Sequence, residues 1–163
     1  MSDLVEMLKR HEGVRSKSYI CSAGYETIAV GRNISESGLG LSDDEIDYLL
    51  DNDIKRVREE LTDSYFWFPA MNSARQDALI DISFNLGQTR LRGFVKALTA
   101  MSREQFDLAA DEFMDSKWSQ QVGNRALEVT EMIRTIKKVR IILLKAVGLT
   151  VILYGSVKGS PKR

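Results

Sequence analysis

The chain has 163 residues, of which 44% are hydrophobic and 28% charged, with 23 basic side chains against 23 acidic ones. A single cysteine excludes an internal disulfide, and one cysteine with one histidine cannot furnish a three- or four-ligand zinc site of the usual kind. Ordinary apolar content at zero net charge excludes general disorder, and any Ser-His-Asp hydrolase would have to use His11, so enzymatic chemistry is pushed towards carboxylates.

The length suits one domain or two lobes on one chain, burying roughly 70% of the unfolded surface. Leu4, Val5 and Leu8 share one face of an opening helix that runs to about Glu12 and stops at Gly13, a C′ glycine. Lys17 to Cys21 and Tyr25 to Gly31 predict two strands about the Ser-Ala-Gly turn at 22–24, and Asn33 to Gly40 predicts a loop. Ser42 and Glu45 form a capping box that opens a long helix with the stripe Ile46, Leu49, Leu50, Ile54, Val57 and Leu61. An aromatic turn over 64–70 precedes helices expected from Ser73 to Gly87, over Leu91 to Ala100, over Arg103 to Met114 behind Ser102, and from Arg125 behind Asn124. The fold class expected is α+β and mainly helical. A β-containing lobe at about 13–41 joins, through a connecting helix at about 42–61, a helical lobe at about 62–140 that also takes residues 1–12.

Neutrality conceals a gradient. Residues 1–134 carry 16 Lys/Arg and 23 Asp/Glu, whereas residues 135–163 carry 7 Lys/Arg and no acid. Residues 141–154 are nearly all apolar but broken by Lys145 and Gly148, short of the roughly 18–20 residues a bilayer span needs. Residues 141–154 are expected to form a terminal helix or strand packed on the protein or on another copy, with peripheral membrane contact as the alternative and no stable membrane insertion. Gly155 to Arg163 is expected to be mobile, and the basic end suits an anionic surface or a solvated tail. The first ten residues lack a basic segment followed by an apolar core, so no export signal is expected there.

Glu12 stands at a helix end before a glycine and faces a hairpin, which alone is weak evidence for a role. The run Met-Leu-Lys-Arg-His-Glu-Gly at 7–13, Tyr19, Gly24-Tyr-Glu-Thr-Ile at 24–28 and Gly31 resembles the phage-type lysozymes, the endolysins typified by those of T-even phages. Phe84-Asn-Leu-Gly87, Gly93-Phe94, Ser116-Lys-Trp118 and Asn124-Arg-Ala126 follow in the same order, so the resemblance covers roughly residues 4–138. It implies a β-containing lobe and a helical lobe with a cleft between them, and hydrolysis of the β-1,4 bond between N-acetylmuramic acid and N-acetylglucosamine of peptidoglycan. It further implies Glu12 as general acid, Thr27 as holder of the attacking water, Arg125 as a partner that tunes Glu12, inversion at the anomeric carbon, and no metal or cofactor. A carboxylic acid partly withdrawn from water keeps its proton to higher pH, which is what a donor to a poor leaving group needs, and a nearby guanidinium opposes that.

The spacing Glu, eight residues, Asp, five residues, Thr is kept, but its middle position is Cys21. A free thiol has a pKa of about 8.5, and a neighbouring Glu12 anion would lower its thiolate fraction further. Three readings stay open. Cys21 acts as a partial substitute, or activity is largely lost to leave a peptidoglycan binder, or another carboxylate serves, although strand alternation puts Glu26 on the face away from Thr27.

Ala29 replaces a favoured glycine, and Arg32 is expected to pair with Asp53. Phe94 and Trp118 are expected in the core, His11 at the surface, and Asn85 is a candidate to bond sugar or stem peptide. A Cys-His amidase built on Cys21 and His11 is the weaker enzymatic alternative. The expected partner is the glycan strand, not nucleic acid, and the expected state is a monomer unless the tail associates. Synthesis in the host cytoplasm and action on the periplasmic wall after a membrane lesion complete the reading.

Overall fold

The computed structural model describes residues 3–134, so the expectations for the 141–163 tail lie outside the described residues. The described residues divide into two compact units, one ending at Arg56 and one beginning at Val57. Among the described residues there are eight α-helices, one 3-10 turn and a three-stranded sheet, an α+β and mainly helical fold.

The first unit opens with α1 (Asp3–Glu12). It ends as its sequence predicts, at Gly13 with φ +76°, whose amide donates to the Lys9 carbonyl over 3.0 Å. Strands β1 (Arg15–Ile20), β2 (Glu26–Ala29) and β3 (Arg32–Asn33) form an antiparallel sheet in that order. The third strand falls at the start of the expected loop. It exists because Gly31, at φ +75°, turns the chain back so that Asn33 pairs with Thr27 and Arg32 with Ile28. Three strands this short offer little area, and Leu4, Val5 and Leu8 of α1 are exposed rather than covered.

Helix α2 (Asp43–Ser64) begins at the expected capping box, of which one half is as drawn. The Glu45 carboxylate accepts from the Ser42 amide at 2.9 Å, while the Ser42 hydroxyl donates to the carboxylates of Asp44 and Glu45 at 2.6 and 3.0 Å. The apolar stripe is buried at Val57 and Leu61 only; Ile46, Leu49 and Leu50 are exposed. Leu49 lines an open groove of about 560 Å³ with Ile28, Leu41 and Tyr48. The expected Arg32–Asp53 pair is replaced. The capping box already holds Glu45 at the head of α2, and Arg32 donates to it at 2.5 Å and to the Gly40 carbonyl at 2.9 Å, while Asp53 pairs with Arg56 at 3.1 Å.

The second unit is built round α3 (Ser73–Leu86), capped by Asn72, one residue before the expected Ser73, through a 2.9 Å bond from the Arg75 amide to its side-chain oxygen. Ala78, Leu79 and Ile82 are fully buried, whereas Phe84 at the helix end is 44% exposed. The aromatic turn packs through buried Phe68 and leaves Phe66 in solvent. Helix α4 (Gln88–Leu91), unforeseen, stops at a backbone break over Arg92-Gly93-Phe94, and the helix expected over 91–100 begins only after that break, as α5 (Val95–Ser102). Ser102 ends α5 instead of opening the next helix, its hydroxyl donating to the Thr99 carbonyl. Glu104 then turns at φ +58°, so α6 (Phe106–Met114) starts three residues late. Helix α7 (Lys117–Val122), unforeseen, is capped by Ser116, and α8 (Asn124–Arg134) follows directly. Phe94, Phe113 and Trp118 cluster with centroids 5.3–6.5 Å apart, the packing expected of the first and last.

Two backbone positions set measurable stability terms. Ala29 holds φ +57°, a conformation that disfavours any Cβ, so Ala29→Gly is expected to stabilise by about 1 kcal/mol. A carbon added at Gly38 would lie 2.5 Å from the Asn33 carbonyl oxygen, so Gly38→Ala is expected to cost roughly 1–3 kcal/mol. Urea midpoints moving in opposite directions at unchanged slope would verify both.

Candidate active site

Glu12 reaches its position because α1 ends there and Gly13 turns the chain into β1. Its carboxylate lies over the β2–β3 turn: a Cβ on Gly31 would stand 3.1 Å from Glu12 Oε2. Gly31 is thus required twice, by its left-handed backbone and by the carboxylate above it. Glu12 is exposed to solvent.

Cys21 and Thr27 are brought together by the β1–β2 turn. The Cys21 amide donates to the Tyr25 carbonyl at 3.0 Å and the Gly24 amide to the Cys21 carbonyl at 2.9 Å, a closed turn. Thr27 sits in the central strand opposite Tyr19 and Asn33 and is 3% exposed, while the adjacent Glu26 faces solvent, as alternation requires. The thiol is held below its ordinary range, first by the Tyr25 backbone amide, then by the Thr27 side chain and the Ala23 amide, with burial opposing. These donors favour the thiolate, against the expectation that its surroundings would suppress it. Thr27 has one hydroxyl proton and two acceptors in reach. It donates to the Tyr25 carbonyl at 3.1 Å, and the sulfur becomes the stronger acceptor once ionised.

Asn85 and Arg125 lie in the second unit, each bonded to a side chain of that unit. The Trp118 indole donates to Asn85 Oδ1 at 2.9 Å, which leaves the exposed Asn85 amide nitrogen to donate outward. Arg125 grips Asp81 through Nε and Nη2, both at 2.9 Å, and this bond first of all raises its pKa. Both partners are more than a third exposed, so the pair contributes at most about 1 kcal/mol. The Asp81 pairing was not anticipated, nor was the bond from Trp118. The usable signal was the spacing of Asp81 and Asn85, four apart and hence on one face of α3. His11 is exposed in the last turn of α1, at the surface as expected. Among the described residues no group of three or more His, Cys, Asp or Glu is arranged to hold a metal ion, and no helix is long and apolar enough to cross a membrane.

The first unit thus carries a helix-terminal carboxylate over a glycine turn, followed by a hairpin that joins residue 21 to residue 27. A family model for phage lysozyme matches residues 9–134, and the chain belongs to that family. It is 32% identical over 119 residues to the endolysin of Salmonella phage P22, covering 69% of this chain and 80% of the relative. It is 29% identical over 158 residues to the pre-baseplate central spike protein Gp5 of Enterobacteria phage T4, covering 81% of this chain. The chain spans only 28% of that spike protein's length. A probable T4-type lysozyme of Dictyostelium discoideum is 24% identical over 163 residues, covering 83% of this chain and 95% of the relative.

The hairpin geometry has a direct readout. Alkylation of Cys21 by iodoacetamide is expected to proceed at neutral pH faster than that of a free cysteine, because a lowered pKa enlarges the thiolate fraction. Thr27→Val is expected to move the midpoint of the rate–pH curve upwards. An unmoved midpoint would remove Thr27 from the thiol's surroundings.

Proposed function

We propose that the protein is an endolysin-type muramidase that hydrolyses the β-1,4 bond between N-acetylmuramic acid and N-acetylglucosamine of peptidoglycan. The observation that carries this reading is the Glu12 carboxylate lying over Gly31 in the unit that also holds the Cys21–Thr27 pair. Glu12 donates its proton to the glycosidic oxygen as the bond to the anomeric carbon breaks, and the sugar passes through an oxocarbenium-like state. A water held by Thr27 attacks the opposite face, which inverts the configuration, and its proton passes to the Cys21 thiolate. Asn85 and Arg125 serve in substrate binding, the first as a donor through its amide nitrogen. The chemistry uses no metal or cofactor, and the protein, made in the host cytoplasm, acts as a monomer on the wall after the membrane is breached.

A second reading, a wall-binding or virion component of weak or no activity on the same fold, is favoured by the thiol in the carboxylate's place and by the similarity to the spike protein. Turbidity clearing of outer-membrane-permeabilised Gram-negative cells separates the two. Glu12→Gln is expected to lose on the order of 10²–10⁴-fold in rate; clearing at the parental rate would refute the general-acid assignment. Cys21→Asp and Cys21→Ala, compared in the same assay, define the thiol's part. A slower Ala variant supports the thiolate as base, and equal rates for parent and Ala deny it any chemical role. New reducing ends, without new free amines, would distinguish a muramidase from an amidase.

A further inference from the structure

The second unit holds a cavity of about 320 Å³, at the small end of the range that takes small molecules. Trp67, Met71, Met101 and Phe106 give it an aromatic and sulfur-containing wall, and Arg75 and Glu104 are its charged members. Arg75 is the unusual part. It is only 4% exposed, its guanidinium stacks 3.4 Å from the centroid of Phe106, and its Nε donates to the Ile133 carbonyl at 2.8 Å. The stack and the bond fix the guanidinium plane, yet among the described residues neither Nη group has a hydrogen-bond partner. Burial opposes the charge of Arg75, and the acids Glu104 and Asp107 support it from a distance, without an ion pair among the described residues.

A cation withdrawn this far from water is ordinarily matched by an anion that takes its free donors. The anion a guanidinium fork fits best is a carboxylate or another planar pair of oxygens, gripped through two parallel bonds. Glu104 sets a second requirement. A simple anion on Arg75 would meet the Glu104 carboxylate of the same wall, so the ligand needs a cation for Glu104 as well as an anion for Arg75. The rings and thioethers call for an apolar body beside the two charges, and the cavity volume keeps that body small. We propose that this cavity binds a small zwitterion of the apolar α-amino acid class, its carboxylate on the Arg75 Nη donors, its ammonium on Glu104 and its side chain against Trp67, Met101 and Phe106. The site lies wholly in the second unit and shares no residue with Glu12, Cys21 or Thr27.

Titration of the full chain with racemic leucine, followed by calorimetry and by tryptophan emission, tests this. Trp67 lines the cavity, whereas Trp118 is 3% exposed and bonded to Asn85, so the emission change reports chiefly on Trp67. Saturable binding is expected. Isocaproate, which lacks the ammonium, and isoamylamine, which lacks the carboxylate, are each expected to bind about tenfold or more weakly. No saturable signal from leucine by either method would overturn the site, and leucine no tighter than both single-charge analogues would overturn the zwitterion. Two variants assign the charges. Arg75→Lys keeps the cation but not the fork, and is expected to weaken leucine and isocaproate alike by about tenfold. Glu104 is exposed, so Glu104→Gln keeps the fold; it is expected to weaken leucine while leaving isocaproate as tight or tighter. Leucine binding unchanged in Glu104→Gln would overturn the proposal even if Arg75→Lys failed to fold.

Discussion

Helix α3 is buried on several sides, with Ala78, Leu79, Ile80, Ile82 and Ser83 all withdrawn from water, so it is stable only inside a sleeve of other helices. This constraint organises the second unit. Helix α8 packs along α3, α4 continues from its end, and α6 closes against α8. Three of the polar residues that α3 carries are bonded to different neighbours: Arg75 to the end of α8, Asp81 to Arg125, Asn85 to Trp118. One helix thus sets both the core and the orientation of the two side chains proposed to meet the substrate. A cavity made at Leu79 or Ile82 would disturb those orientations as well as stability, because close-packed interiors pass strain to their neighbours.

The first unit is organised differently. Its geometry rests on backbone conformations and a few hydrogen bonds rather than on a deep core, since Thr27 is the one residue of its described part that is buried. Gly13, Gly31 and Ala29 all hold positive φ, and they fall at the joints that aim α1 and the sheet. Ala29 does so against its own preference, so a position that sits beside the hairpin carries local strain. The electrostatics follow from the same joints. The turn that closes between Cys21 and Tyr25 also presents the amides that favour a charged sulfur.

What could be read from the sequence were features written in local chemistry. The stop at Gly13, the start of α2 at Ser42, the hairpin at 22–24 and the outward face of Glu26 each depend on a residue and its immediate neighbours. Structure departs from sequence pattern where a distant partner decides. Arg32 chose Glu45 over Asp53 because the cap had already fixed Glu45, and α5 was split from α4 by a backbone break that no proline announces. The Arg125–Asp81 and Trp118–Asn85 bonds join residues 44 and 33 positions apart, beyond the reach of periodicity. The position of Glu12 over Gly31 is set by contact across the unit rather than by local pattern, and the amides of the 21–25 turn, which sequence alone does not place at the sulfur, favour the charged Cys21.

The end of α8 is held from several directions: Arg75 takes the Ile133 carbonyl, and Arg134 pairs with both Asp111 and Glu131. A helix whose final turn is bound by side chains from elsewhere in its unit does not rely on the next residues to keep from fraying. Such an end is a natural seam. Sequence joined beyond it can change in composition and charge without unwinding the helix before it, and in this chain the swing from an acidic body to a wholly basic extension occurs at that seam.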